Sequence, residues 1–187
     1  MIGRLPTALS VSGREVPINT DFRVMLDIYE AFCDNELSEA EKAYVCVRLM
    51  YREEIPVQSF EEAVRRAYWF YDGGDMPKSK PSRVRTIDWK QDEAILFPAV
   101  SKAVGVADVR QLPYMHWWTF LGAFGEIGEG LFTTVMSIRQ KKAKGKKLEK
   151  WEKEFYSRNK SMIELDLMTE EEKQARQETE DFLSTLI

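Results

Sequence analysis

Few side chains in this chain could do chemistry. It has one histidine, His116, and two cysteines, Cys33 and Cys46. A zinc site draws on about four histidine or cysteine ligands, so the supply falls short. No serine or cysteine stands at a recognisable nucleophile spacing from His116, which reads as a helix residue satisfied by a neighbour. Cys33 and Cys46 each fall where an amphipathic pattern wants a small apolar group, as buried free thiols rather than a disulfide or redox pair. Gly125-Glu126-Ile127-Gly128-Glu129-Gly130 has the glycines of a phosphate loop. No Lys-Ser or Lys-Thr follows it and no strand precedes it, so that reading fails. The pairs Glu53-Glu54 and Glu61-Glu62 lie at helix ends or on exposed faces and are expected to be solvated. No catalytic residue, cofactor or metal site is expected, and the chain reads as a non-enzyme.

Charge offers one further chemistry. From Arg139 to Lys153 the chain is strongly basic, and from Glu164 to Asp181 it is strongly acidic. The run Arg139-Gln140-Lys141-Lys142-Ala143-Lys144-Gly145-Lys146-Lys147 is the one feature that could touch nucleic acid. It has no interleaved aromatic residue before Trp151, and the acidic block lies close behind. Over the whole chain 27 basic residues face 31 acidic ones, a net charge of -4, which does not advertise nucleic acid or an anionic membrane as a partner. The two blocks read as a solvated, helical or partly ordered tail whose halves attract.

With 187 residues, 44% of them hydrophobic and 12% aromatic, the chain can bury one core. No window approaches the roughly 18 apolar residues needed to span a bilayer, and no signal-peptide run opens the chain. Leu9 and Val11 before Ser12-Gly13, with Val16 and Ile18 after it, predict a short β-hairpin. Thr20 is placed to cap a helix burying Phe22, Met25, Leu26, Tyr29, Phe32 and Cys33. Ser38 with Glu41 forms a capping box for a second helix, whose inner face is Ala43, Tyr44, Val47, Met50 and Tyr51. Ser59 with Glu62 predicts the same for a third, burying Phe60, Ala63, Val64, Ala67, Tyr68 and Tyr71 and leaving Trp69 and Phe70 in need of another partner. A loop over 72–87 separates this half from a second helical half.

The second half opens at Asp88, with Trp89, Asp92, Ile95, Leu96, Ala99 and Val100 on one side and Pro98 as an expected kink. Its centre is Pro113-Tyr114-Met115-His116-Trp117-Trp118-Thr119-Phe120-Leu121-Gly122-Ala123-Phe124, read as one helix beginning at Pro113 and apolar over most of its circumference. Such a helix must be a core element, or half core and half docking surface. A last apolar helix follows over Leu131, Phe132, Val135, Met136 and Ile138. The expected fold is mainly α: an antiparallel helical bundle with an N-terminal β-hairpin over 1–138, and a charged extension over 139–187.

The order of features resembles a family of small bacteriophage proteins of siphophages and prophages, of the type called phage protein gp fifteen. It is carried by Asn19-Thr20-Asp21-Phe22-Arg23 after the hairpin, Asp88-Trp89 with Gln91-Asp92, Met115-His116-Trp117-Trp118 with Phe120, and Met136-Ser137-Ile138-Arg139. The resemblance implies a tail assembly chaperone, encoded next to the tape measure protein, that coats this long helical guest in the host cytoplasm and is absent from the finished virion. It also implies a homo-oligomer, with the tail tube protein as a second candidate partner and neither membrane nor nucleic acid expected. The residues expected to meet the guest are Trp117, Trp118, Phe120, Phe124, Trp89, Trp69 and Phe70. The competing readings are a nucleic-acid-associated phage regulator using the 139–153 run and a minor structural tail component.

Overall fold

A computed structural model describes residues 3–74 and 86–165. Most of the 72–87 loop, the acidic block beyond residue 165 and the apolar end at Phe182, Leu183, Leu186 and Ile187 lie outside the described residues. The fold is mainly α-helical, with an N-terminal hairpin of β1 (Ala8–Val11) and β2 (Arg14–Pro17). Leu9 pairs with Val16 and Val11 with Arg14 across the antiparallel ladder. Ser12 and Gly13 both take positive φ, 51° and 75°, as a two-residue hairpin turn matching the strand twist requires. Leu9, Val11 and Val16 are buried against the helical body. The hairpin thus gains the second layer that a lone pair of strands needs.

Three helices follow: α1 (Phe22–Cys33), α2 (Glu39–Met50) and α3 (Phe60–Tyr71), α1 packing on α2 and α2 on α3. The Ser38-Glu41 capping box forms as expected. Three expectations are corrected here. Asp21, not Thr20, caps α1, its carboxylate accepting from the Arg23 N–H at 3.0 Å while also taking the Arg23 guanidinium bidentately. A carboxylate that can bind both groups outcompetes a neighbouring hydroxyl; Thr20 is buried and bonds the Tyr114 hydroxyl at 2.7 Å. Ser59 ends a short 3-10 turn (Val57–Ser59) and makes no cap bond. Its hydroxyl meets that of Ser12 at 2.9 Å, and Glu62 accepts from the Ser12 N–H at 2.9 Å, so the pair holds the hairpin turn on α3. The inner faces are also rotated. α2 buries Cys46, Val47 and Met50 and turns Tyr44 outward, and α3 buries Ala63, Ala67 and Phe70.

The second half contains α4 (Glu93–Val104), α5 (Trp117–Gly125), α6 (Leu131–Ala143), α7 (Lys150–Arg158) and the single turn α8 (Lys160–Ile163). α4 begins five residues later than expected, because the Asp88 carboxylate accepts from the Lys90 and Gln91 N–H groups and holds 88–92 as turns. It runs through Pro98 and ends at Gly105, whose φ of 80° is the left-handed stop common after helices. α4 packs on α5 and α6, and α1 reaches α5, so both halves share one core.

Residue 139, the first of the charged extension, lies inside α6 and is buried. All five guanidinium N–H donors of Arg139 have acceptors: both Asp92 carboxylate oxygens at 2.6 and 2.8 Å, and the carbonyls of Thr86, Met162 and Ile163. The pair ties α4's start and α8 to one point on α6, beside a small apolar cluster of Val135, Ile138 and Ile163.

Candidate docking surface

Residues 113–116, expected as the first turn of the tryptophan helix, run extended beside residues 20–22. The Phe22 N–H donates to the Met115 carbonyl at 3.0 Å and the Trp117 N–H to that of Thr20 at 2.7 Å. Arg23 braces the approach, donating to the carbonyls of Arg110 and Leu112. Helix α5 therefore starts at Trp117 with His116 as its cap: the ring Nδ1 accepts from the Trp118 N–H at 3.0 Å. The other nitrogen, Nε2, lies 3.0 Å from the Pro6 carbonyl, which only a donor can satisfy. Those two bonds require the neutral Nε2–H tautomer and join the N-terminal segment to α5. His116 is the structural cap of α5.

The paired tryptophans complete the C-terminus of α3. A helix leaves its last carbonyls without intrahelical partners. The Trp117 indole N–H donates to the Tyr71 carbonyl at 2.7 Å and that of Trp118 to Phe70 at 2.8 Å, while Gly74 N–H takes the Trp69 carbonyl. Trp117 then stacks on Phe120 (centroids 5.7 Å), and Phe120 on Phe22 (4.6 Å, 2° between planes). Among the seven residues expected to meet a guest, Trp117, Phe120 and Phe70 are thus core groups, 3%, 0% and 0% exposed. In this conformation none of them can reach another chain.

The other four are half-buried and form two separate clusters. Trp69 packs edge-on against Trp118 at 5.4 Å, over the turn after α3. Trp89 packs on Phe124 at 5.5 Å, and Phe124 on Phe132 at 5.7 Å. The second cluster leads to a surface groove of about 490 Å³ between α4 and the 126–132 segment. Its walls include Ala94, Pro98 and Ala103, with Ile127, Leu131 and Phe132 opposite. Lys102 stands on one side and Glu126 and Glu129 on the other. Pro98 has no N–H to give the Ala94 carbonyl, and Gly128 and Gly130 add no side chain, so the walls are small and low. The sequence signal for this groove was Ala94-Ile95-Leu96-Phe97-Pro98-Ala99-Val100, seven consecutive apolar residues that follow Glu93 through the first two turns of α4.

Among the described residues no group of three or more His, Cys, Asp or Glu side chains could hold a metal ion, and no helix is long and apolar enough to cross a membrane. Burial pushes the Cys46 thiol up to about 12, which leaves it an inert packing group at neutral pH.

The segments that carried the resemblance prove to be framework contacts: Asp21 with Arg23, Asp92 with Arg139, His116 as cap, Trp117 and Trp118 on α3. Asp92, Arg139, His116 and Trp117 are buried, while Asp21, Arg23 and Trp118 stay partly exposed, and all of them make contacts that specify this architecture. No curated protein and no solved structure matches the chain. The family described as Bacteriophage Gp15 protein matches over residues 1–165, and the chain belongs to that bacteriophage family.

Proposed function

We propose that this phage protein is a non-enzymatic tail assembly chaperone that holds the tape measure protein soluble in the host cytoplasm during tail morphogenesis. The observation that carries the reading is the groove between α4 and residues 126–132. A helix apolar around its circumference normally has a partner on each side. α4 packs inward on α5 and α6 but leaves Ala94, Pro98 and Ala103 exposed. Low walls of alanine, proline and glycine let a guest helix approach closely, and Ile127, Leu131 and Phe132 offer its apolar stripe something to bury against. Lys102 facing Glu126 and Glu129 favours a guest with acid on one flank and base on the other. Membership of a phage family agrees with this use.

Co-expression tests it. Wild-type protein should keep the tape measure protein soluble and co-purify with it. Leu131→Asp combined with Ala103→Glu changes two exposed wall positions; it should fold normally and bind at least about tenfold more weakly, since a buried charge is placed against an apolar stripe. A tape measure protein that precipitates equally with and without this chain ends the proposal. Mass spectrometry of purified virions separates the chaperone, which should be missing, from a structural tail component.

A further inference from the structure

Two other exposed apolar features carry opposite charge. The first is a groove of about 640 Å³ between α2 and α3, walled by Tyr44, Val47, Ile55, Val57 and Phe60. Val57 is 91% and Tyr44 57% exposed, unusually open for an apolar wall. Glu53, Glu54 and Glu61 stand around it against one cation, Arg48. Glu53 and Glu54 pair with Arg14 and Arg48, but these pairs are solvent-exposed and hold the carboxylates only weakly. Glu61 has no ion-pair partner among the described residues.

The second feature is Trp151 on α7, 53% exposed, its indole N–H held by Glu149 at 3.0 Å. Lys144, Lys146, Lys147, Lys150 and Lys153 are exposed on the same helix and the turn before it, and none makes an ion pair with a described residue. Lys141 and Lys142, by contrast, are engaged with Glu152 and Glu164. The patch is therefore an aromatic anchor among five exposed lysines, with Glu149 and Glu154 as the carboxylates beside it, and the groove an apolar slot ringed by carboxylates. α7 packs on α8, and α2 on α1 and α3, so neither surface covers the other within one chain.

We propose that these surfaces are the two halves of one interface between copies of this chain: Trp151 of one copy seats in the α2–α3 groove of the next. A polyanion would satisfy the lysines but leave Tyr44 and Val57 in water; a second copy covers both. Because the halves differ, the contact is head-to-tail. Each addition leaves one free groove and one free tryptophan, which builds a ring or an open chain rather than a closed two-fold dimer. The inference rests on these two surfaces and is independent of the tape measure reading.

Sedimentation velocity on the full chain, with no other protein present, tests it. Wild type should self-associate, more weakly at high salt because the charges are exposed. Trp151→Ala and Val57→Asp each change an exposed side chain, so circular dichroism should not change, yet each should weaken assembly by roughly thirtyfold or more, as expected for loss of an anchor. An equimolar mixture of the two variants should form a one-to-one dimer, because each keeps the half the other has lost. A monomeric wild type, variants that assemble like wild type, or a mixture that stays as two monomers would each overturn the proposal. So would a monomer that retards single-stranded nucleic acid through Trp151, which would give the patch to that partner instead.

Discussion

Gly74 follows the last turn of α3 at a φ of 89°, and a Cβ there would lie 2.8 Å from the ring of Trp118. Gly74→Ala should therefore destabilise the chain by about 1–3 kcal/mol, combining left-handed strain with displacement of the indole that caps α3. Thermal unfolding reads the loss, and Gly13→Ala, whose Cβ would meet nothing within 4 Å, isolates the strain alone. The two cysteines should also separate. Cys46 is buried and Cys33 partly open, so a thiol reagent at neutral pH should modify Cys33 first and Cys46 only on unfolding. The Cys46 pKa rises from 9.0 to about 12 on folding. Its contribution to stability is full below pH 9 and is lost as pH rises from 9 towards 12, where the unfolded chain releases the proton and the folded one keeps it. Alkaline denaturation of Cys46→Ala against wild type measures that slope. Single positions were the least legible in the sequence. On α3 the charged side with Glu61, Glu62, Arg65 and Arg66 is plain, but Ala67 to Tyr71 are apolar or aromatic without a break, so periodicity could not choose a face for the last turn. Phe70 went inward because it has no polar atom to satisfy, whereas Tyr68 and Tyr71 stay at the margin.

Among the elements, the sequence showed the hairpin, the Ser38 capping box and the existence of α1 to α6, since each has a local signal in its own residues. It missed where α5 starts because the deciding bonds come from residues 20–22, over ninety positions away. Before the bond to Thr20, nothing in Pro113 to His116 argues against a helix. The same holds for α7 and α8, whose charged composition suggests a solvated tail. Their attachment depends on Arg139 and Asp92, 4% and 1% exposed and 47 residues apart in sequence. Removing the cation leaves a buried carboxylate uncompensated and three carbonyls without their donor. Arg139→Met should cost about 3–5 kcal/mol, and Arg139→Met with Asp92→Leu should recover part of it by removing the orphaned charge. Hydrogen exchange localises the effect. Protection should fall in α7 and α8 well before α1 to α3, whose core contacts do not pass through this pair. Uniform loss across the chain would mean that the pair supports the whole core rather than latching its last helices.

For the whole molecule, the aromatic surplus visible in the sequence is spent mostly inside. Trp117, Phe120, Phe70 and Phe22 pack in the core where the two helical halves meet, and the apolar surface left over among the described residues includes α4, the α2–α3 groove and Trp151 on α7. Two routes for a guest then remain. It could lie along the Trp69–Trp118 cluster, or enter the α4 groove beside Trp89, Phe124 and Phe132. The groove is favoured physically. Trp118 already donates to the Phe70 carbonyl and packs against Trp69, so moving the pair would break the end of α3, whereas Ala94, Pro98 and Leu131 give up only water. Trp89 touches Phe124, which touches Phe132 in the groove wall, and its fluorescence should respond to a guest there. An amphipathic peptide from the tape measure protein should change the emission of wild type, of Trp69→Phe and of Trp151→Phe, but not that of Trp89→Phe. If the change instead disappears with Trp69→Phe and survives Trp89→Phe, the guest uses the tryptophan cluster over α3, and the end of that helix must open to admit it.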